Sequence, residues 1–340
     1  MKRLTLFVLM LLAAAPLFQV SAQERPWMKY ITPSGYYQAG YSITDAMDNT
    51  FYIKRARIAL AGQLFEDRYG KFEYKVQAEL AGSPKLVDYW VKYTMCPEFG
   101  IEFGQFKTPL SLENSEYAPL KLEMIDYSLL VQRFVRMSTA DVSGISASGR
   151  EMGLMFFGKM LKVGEGHHLL RYDVGLFNGC GINKIDDDKL KDFMARVMVF
   201  PLKDLSVTGY YMRRIGHMDE VPIYHDYDYR VRDRYGMALN YDSKWAWLRT
   251  EYMAGHTDGW RAEGAYITAG YKITPNFNLG ARCDYFTTNS REAGHGQWYY
   301  TAGASWYPFQ RLRIQLNYMY KQEADRSVTH LVNLMTSIVL

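Results

Sequence analysis

After Ala22, no stretch of this 340-residue chain reaches about 18 consecutive apolar residues, the length at which a segment reads as a membrane-spanning helix. Cysteine is scarce. Cys96, Cys180 and Cys283 share no CxxC spacing, and an odd number leaves at least one thiol free, so they are read as incidental rather than as a disulfide framework. H-E-x-x-H, G-x-S-x-G and P-loop patterns are absent, and most of the seven histidines map to turns and strand ends. The sequence makes no case for a cofactor, a metal centre or a catalytic residue. Excess charge is also lacking. The formal charge is +4, and it falls to +2 without Lys2 and Arg3, which excludes a strong bulk attraction to nucleic acid.

The first 22 residues have their own logic. Met1-Lys2-Arg3 is basic, Leu4 to Leu12 is apolar, and Val20-Ser21-Ala22 is a small-residue cleavage site before Gln23. That is the layout of a secretory signal peptide, and the apolar run is too short for a spanning anchor. Aromatics make up 15% of the chain, with 28 Tyr against 17 Phe and 7 Trp. Tyrosine suits a membrane–water boundary, its ring in the oily layer and its hydroxyl in water.

What is abundant is alternation. In KFEYKVQAEL, Phe72, Tyr74, Val76, Ala78 and Leu80 fall on one side of an extended chain, and Lys71, Glu73, Lys75, Gln77 and Glu79 on the other. Stretches of this kind are read at Ser34–Ile43, Thr50–Gly62, Gly70–Gly82, Lys85–Met95, Phe99–Thr108, Arg150–Lys159, His168–Gly179 and Leu190–Pro201. They continue at Asp204–Arg213, Arg230–Asp242, Trp245–His256, Arg261–Ile273, Asn276–Phe286, Gln297–Tyr307, Arg311–Lys321 and Val328–Leu340, sixteen in all. Tight connections such as Leu202–Lys203 and Thr274–Pro275 alternate with mostly longer polar ones such as Arg214–Tyr229, while Gln63–Tyr69 and Met160–His167 are long members of the short set. The fold class expected is all-β: a transmembrane antiparallel β-barrel of about sixteen strands, apolar toward outer-membrane lipid and polar within. Closure removes the sheet edges that lipid cannot satisfy. Arg150–Lys159 and Gln297–Tyr307 alternate poorly and receive no face assignment.

The inward side should decide function. Its basic set is Arg55, Arg57, Lys71, Lys75, Lys92, Arg171, Arg196, Arg232, Arg234, Arg249, Lys272, Arg282 and Arg313; its acidic set is Glu73, Glu79, Asp88, Glu102, Asp173, Asp192, Glu251 and Asp284. An unpaired buried charge costs several kcal/mol, so these groups are expected to be hydrated in a wide lumen that favours anions. About half of these charges are expected to pair across strands and hold the wall; Arg55 and Arg57 with Arg232 and Arg234 look less neutralised locally and are the better candidates for an anion path.

Pro109–Gly149 is too long for a turn and too apolar for a loose tip. Leu120, Met124, Tyr127 and Val131 fall near helical spacing. This third loop is expected to fold into the barrel and narrow it, with Lys121, Arg133 and Arg136 meeting anions and Glu113, Glu116 and Glu123 opposing them.

FYIKRARIALAGQLFEDRYGKFEYKVQAELAGSPKLVDYWVKY, GIEFGQFKTPLSLENS and LFNGCGINKIDDDKLKDFMARVMVFP together resemble the phosphate-selective porin O and P family, in the form carried by Bacteroidetes-type bacteria. The likeness is best over Thr50–Pro201. It implies a sixteen-stranded, trimeric outer-membrane porin in which an arginine ladder and a lysine cluster select phosphate. The R-A-R strand carries the arginine pair over as Arg55 and Arg57; the constriction segment here has one lysine, Lys121, in place of a cluster.

Passive diffusion of small anions, phosphate or polyphosphate among them, is therefore the leading functional expectation. A non-selective porin, a plugged structural or adhesive barrel, and an outer-membrane enzyme are the competing readings. Asp186-Asp187-Asp188 could hold calcium or bridge lipid phosphates, although a solvated acidic turn is the plainer reading.

Overall fold

The computed structural model describes residues 30–136, 148–186, 191–217, 229–257 and 260–340; the expected signal peptide lies outside the described residues. The strands are β1 Thr32–Thr44, β2 Asn49–Asp67, β3 Gly70–Glu79, β4 Lys85–Cys96, β5 Phe99–Lys107, β6 Arg150–Lys162, β7 His168–Phe177 and β8 Asp192–Leu202. They continue with β9 Leu205–His217, β10 Tyr229–Asp242, β11 Ala246–Thr257, β12 Trp260–Thr274, β13 Phe277–Thr287, β14 Gly296–Phe309, β15 Leu312–Gln322 and β16 Val328–Val339. Each pairs antiparallel with its chain neighbour, and β1 pairs with β16 from Tyr36↔Val339 to Thr44↔Leu331, closing the barrel. No described strand is then left with an open edge, which is what a hydrocarbon surrounding demands.

The alternation sorts side chains as an outer apolar band requires. On β15, Leu316 and Tyr318 are exposed, whereas Arg313, Gln315 and Asn317 are buried. The two strands left without a face are informative. On β6 the outward Leu154 and Phe156 alternate with an inward Met155, and on β14 the outward Trp298 and Tyr300 flank an inward Tyr299. Both faces carry apolar residues, so a polarity pattern cannot separate them.

Several boundaries differ from expectation: β3 stops at Glu79 rather than Gly82, β6 runs on to Lys162 and β9 to His217. Gln63–Tyr69 is not a connection: β2 runs on past a bulge at Gln63/Phe65 to Asp67, leaving a two-residue turn before Gly70. The N-terminal residue of the expected Leu190–Pro201 strand lies outside the described residues, and the strand begins at Asp192. A further bulge on β2 opposite Gln38/Ala39 leaves Lys54 without a cross-strand partner and shifts the register there. It turns both Lys54 and Arg55 inward, which strict period-two counting does not anticipate. Cys96, Cys180 and Cys283 are all free.

The interior is not an empty cylinder. Residues 108–136 run through it, including a short helix α1 (Leu112–Glu116) and a wide helical turn at Val131–Arg136. The helical spacing read over 120–131 does not become one helix; between these two pieces lie a 3₁₀ turn at Pro119–Lys121, bends at 123–126 and irregular chain. Leu122, Leu129, Leu130, Val131, Phe134 and Val135 pack against inward residues of the wall, among them Phe177, Met194, Met212, Met253, Phe286 and Met319. This apolar core lies inside the barrel, where the sequence pattern anticipated only polar groups.

Candidate functional site

A loop crossing a barrel interior brings backbone N–H groups that need partners. The wall supplies them. The Glu251 carboxylate accepts from Leu112 N (3.2 Å) and Glu113 N (3.3 Å), capping the start of α1, and it also accepts from the Tyr210 (2.7 Å) and Tyr266 (3.2 Å) hydroxyls. Asp284 accepts from Leu129 N at 2.9 Å, and the Asn317 side chain accepts from Ile125 N at 2.7 Å. The loop's roots are tied to each other: Thr108 N and Asn114 Nδ2 both donate to Gly149 O, at 3.2 and 3.0 Å. Gly149 has φ +67, and a Cβ there would collide with the Asn114 amide, so only glycine fits this joint.

These contacts revise the electrostatic expectation. Of the thirteen inward cations read from the sequence, eight are almost fully buried: Arg55, Arg57, Arg196, Arg232, Arg234, Arg249, Arg282 and Arg313. Arg57 pairs with Glu79 at 2.8 Å. Arg196 pairs with Asp173 (2.7 Å) and with Glu116 of the loop (2.8 Å). Arg249 holds Glu123 at 2.7 Å and lies 3.3 Å from the centre of the Tyr117 ring. Arg282 pairs with Asp284 at 2.8 Å and donates to the Asp126 and Tyr127 carbonyls; Arg313 donates to the carbonyls of Leu120 and Glu123. Arg234 donates to the carbonyls of Asp233 and His256, beneath Phe134. Arg55 donates to Gln38 at 2.9 Å and has no ion pair among the described residues. The loop carboxylates therefore clamp the wall instead of merely opposing a path. Lys54, unforeseen because of the bulge, is one more clamp, paired with Asp126.

Between the loop and the wall from β1 to β8 lies a cleft of about 320 Å³. Seven basic side chains line it (Arg57, Lys75, Lys92, Lys107, Arg150, Arg171 and Arg196) against three acidic ones, Asp88, Glu102 and Glu116. Asp88 lies between Lys75 (2.7 Å) and Arg150 (2.5 Å), Glu102 meets Lys92 at 3.2 Å, and Glu116 meets Arg171 at 3.1 Å. Sequence reasoning found five of the seven cations. It missed Arg150, on a strand whose alternation fails, and Lys107, at the very end of β5. Lys121 is exposed at the loop's inner bend, bordering a second cavity of about 310 Å³ with Trp247 and Tyr307. Arg133 is half-buried and contacts the Tyr299 hydroxyl; the Arg136 side chain lies outside the described residues. Of the acidic triplet, Asp186 pairs with Lys191, and Asp187 and Asp188 lie outside the described residues. Among the described residues, no group of three His, Cys, Asp or Glu is placed to hold a metal.

The loop carboxyls respond to burial and to their clamps. Burial acts to raise Glu116, but Arg196 and Arg171 outweigh it and hold the carboxyl below its usual 4.5. Asp126 is likewise held below 3.8, because Lys54 overcomes its burial. Glu113, sunk deeper, goes the other way: burial outweighs Arg282 and Arg249 and lifts it above 4.5. A depressed carboxyl contributes a clamp that is complete above its unperturbed value and is lost as pH falls through the depressed one. Channel current recorded in planar bilayers should therefore be steady at neutral pH and become noisy and larger as pH falls below the ordinary carboxylate range, where Glu116 and Asp126 take up protons. A flat record through that acid range would show that these clamps do not hold the loop.

The same architecture recurs in solved structures. An anion-selective porin from Comamonas acidovorans superposes with a TM-score of 0.70 at 11% identity, covering 91% of this chain and 99% of that one. OmpT of Vibrio cholerae, in a trimer form, gives 0.66 at 11% identity over 91% and 99% of the two chains. The channel DcaP of Acinetobacter baumannii gives 0.63 at 12% identity over 91% and 97%. No curated relative matches the chain by sequence. The sequence pattern of the phosphate-selective porin O and P family does match, over residues 31–156 and 235–338. With the closed sixteen-strand barrel, that match makes this chain an outer-membrane porin belonging to the phosphate-selective porin O and P family.

Proposed function

We propose that the cleft between the inner loop and β1–β8 is the permeation path for small anions, phosphate among them, and that the segment 109–149 is its constriction. The observation that carries this reading is the excess of basic over acidic side chains lining the cleft, seven against three. Such an excess raises the local concentration of anions and repels cations. Lys75, Lys92 and Arg171 are the half-exposed members, and solutes would meet them first; Arg57, Arg150 and Arg196 supply field from behind. Phosphate as the favoured solute and assembly into homotrimers rest on the family, and export with removal of Met1–Ala22 rests on the basic, apolar and small-residue order of those first residues.

The test is the zero-current potential across a planar bilayer in a KCl gradient. The wild-type channel should prefer chloride, and Lys75→Glu with Lys92→Glu should abolish or invert that preference. A cation-selective wild type would overturn the reading. The apolar core inside the barrel favours a second reading, a barrel whose lumen is nearly shut. Absence of any current from folded, reconstituted protein would establish it.

A further inference from the structure

The outer wall is not uniform. On β9–β12, close to the longer connections, four ionisable residues point outward in register across four strands. Asp233 is paired with Arg213 on one side and with His256 on the other, and His256 is paired with Arg261. Toward the barrel waist lie Tyr211, Tyr235 and Tyr252, each 37% exposed, the signature of a ring at a membrane boundary. Elsewhere the loop end of the wall is aromatic: Tyr285 and Trp298 lie 4.7 Å apart, and Tyr300 and Tyr320 lie 6.0 Å apart.

Charges on the lipid side of a barrel are tolerated only near the interface. In this row the anions are already engaged by tyrosines: the Tyr252 hydroxyl donates to Glu263 at 2.9 Å and the Tyr211 hydroxyl to Asp233 at 3.5 Å. The cations are less satisfied. Arg213 is exposed and makes no ion pair among the described residues, and Arg261, which meets the Tyr252 hydroxyl and lies 3.5 Å from Glu263, leaves its Nε without a hydrogen-bond partner. Guanidinium groups in this state, above a tyrosine row, suit the bidentate oxygens of a phosphate. Longer connections mark the outer face of such barrels, so the phosphate within reach is that of an outer-leaflet lipid.

We propose that Arg213 and Arg261, with His256 between them, form a binding site for the phosphate of an outer-leaflet lipid headgroup. The site goes beyond the anion path and shares no residue with it. Detergent-solubilised protein can be titrated with diphosphoryl lipid A and with its dephosphorylated form, bound lipid being counted by native mass spectrometry. Wild type should bind the phosphorylated form about tenfold more tightly than the dephosphorylated one. Arg213→Gln with Arg261→Gln should remove that preference, and Arg311→Gln, at the opposite end of the barrel, should leave it intact. The chloride current of the double variant should match wild type, which separates this site from the pore. Equal wild-type affinity for the two lipids would overturn the proposal without reference to any variant. So would a double variant that binds lipid normally but changes oligomeric state, because the row would then be a contact between copies.

Discussion

Arg249→Ala is expected to raise single-channel conductance severalfold while leaving the barrel folded. Arg249 is 1% exposed and grips Glu123 with both arms of its guanidinium, at 2.7 and 3.2 Å. Its first arm also lies 3.7 Å from Glu113, and its plane covers Tyr117. Three points along the inner loop thus hang on one side chain of β11. Removing one partner of a buried pair costs about 3–5 kcal/mol, because the other charge is stranded. The ladder of β10, β11 and β12 does not depend on that side chain, so the strain falls on the loop. Bilayer recordings should show larger, noisier steps with weaker anion preference, and heat-modifiable migration on gels should confirm an intact barrel. Conductance unchanged from wild type would mean that the loop is held without this clamp.

Phe134→Ala attacks the apolar half of the same attachment. Phe134 is fully buried, meets Phe286 edge-on at 5.2 Å and lies 5.3 Å from the Arg234 guanidinium. Truncating a buried phenylalanine costs about 3–5 kcal/mol, and here it also uncovers a buried cation. The helical turn at Val131–Arg136 should loosen, and trypsin should cut at Arg133 at least tenfold faster than in wild type. The control is Phe51→Ala. Phe51 is 83% exposed on the outer wall, and its loss should change neither cleavage nor current. Equal cleavage rates for Phe134→Ala and wild type would place the loop's hold elsewhere.

Much of the barrel was legible because strand faces obey a local rule. Successive side chains alternate whatever lies far away in the chain, so Leu316 outward and Arg313 inward could be read from RLRIQLNYMYK alone. The failures were local too, where local cues were ambiguous. The bulge that turns Lys54 inward leaves no mark in composition, and Arg150 shares the parity of the outward Leu154 and Phe156, entering the cleft only because it stands at the first residue of β6. One signal was present and unread. Met194, Met212, Met253 and Met319 share the inward parity of the charged residues around them. Methionines on the polar face of strands announce something apolar and irregular to be packed inside.

The sequence by itself determined the sixteen strands, their closure, the lipid-facing band and the inward parity of the arginines, since all of these follow from a period of two and from lipid's refusal of unpaired backbone. Only the tertiary structure decided what the arginines do. Arg249 meets Glu123 across 126 positions of chain, and Arg313 meets Leu120 across 193. Whether a charge is bathed in water or locked against a carboxylate depends on what distant segment fills the space before it, and no pattern within its own strand encodes that.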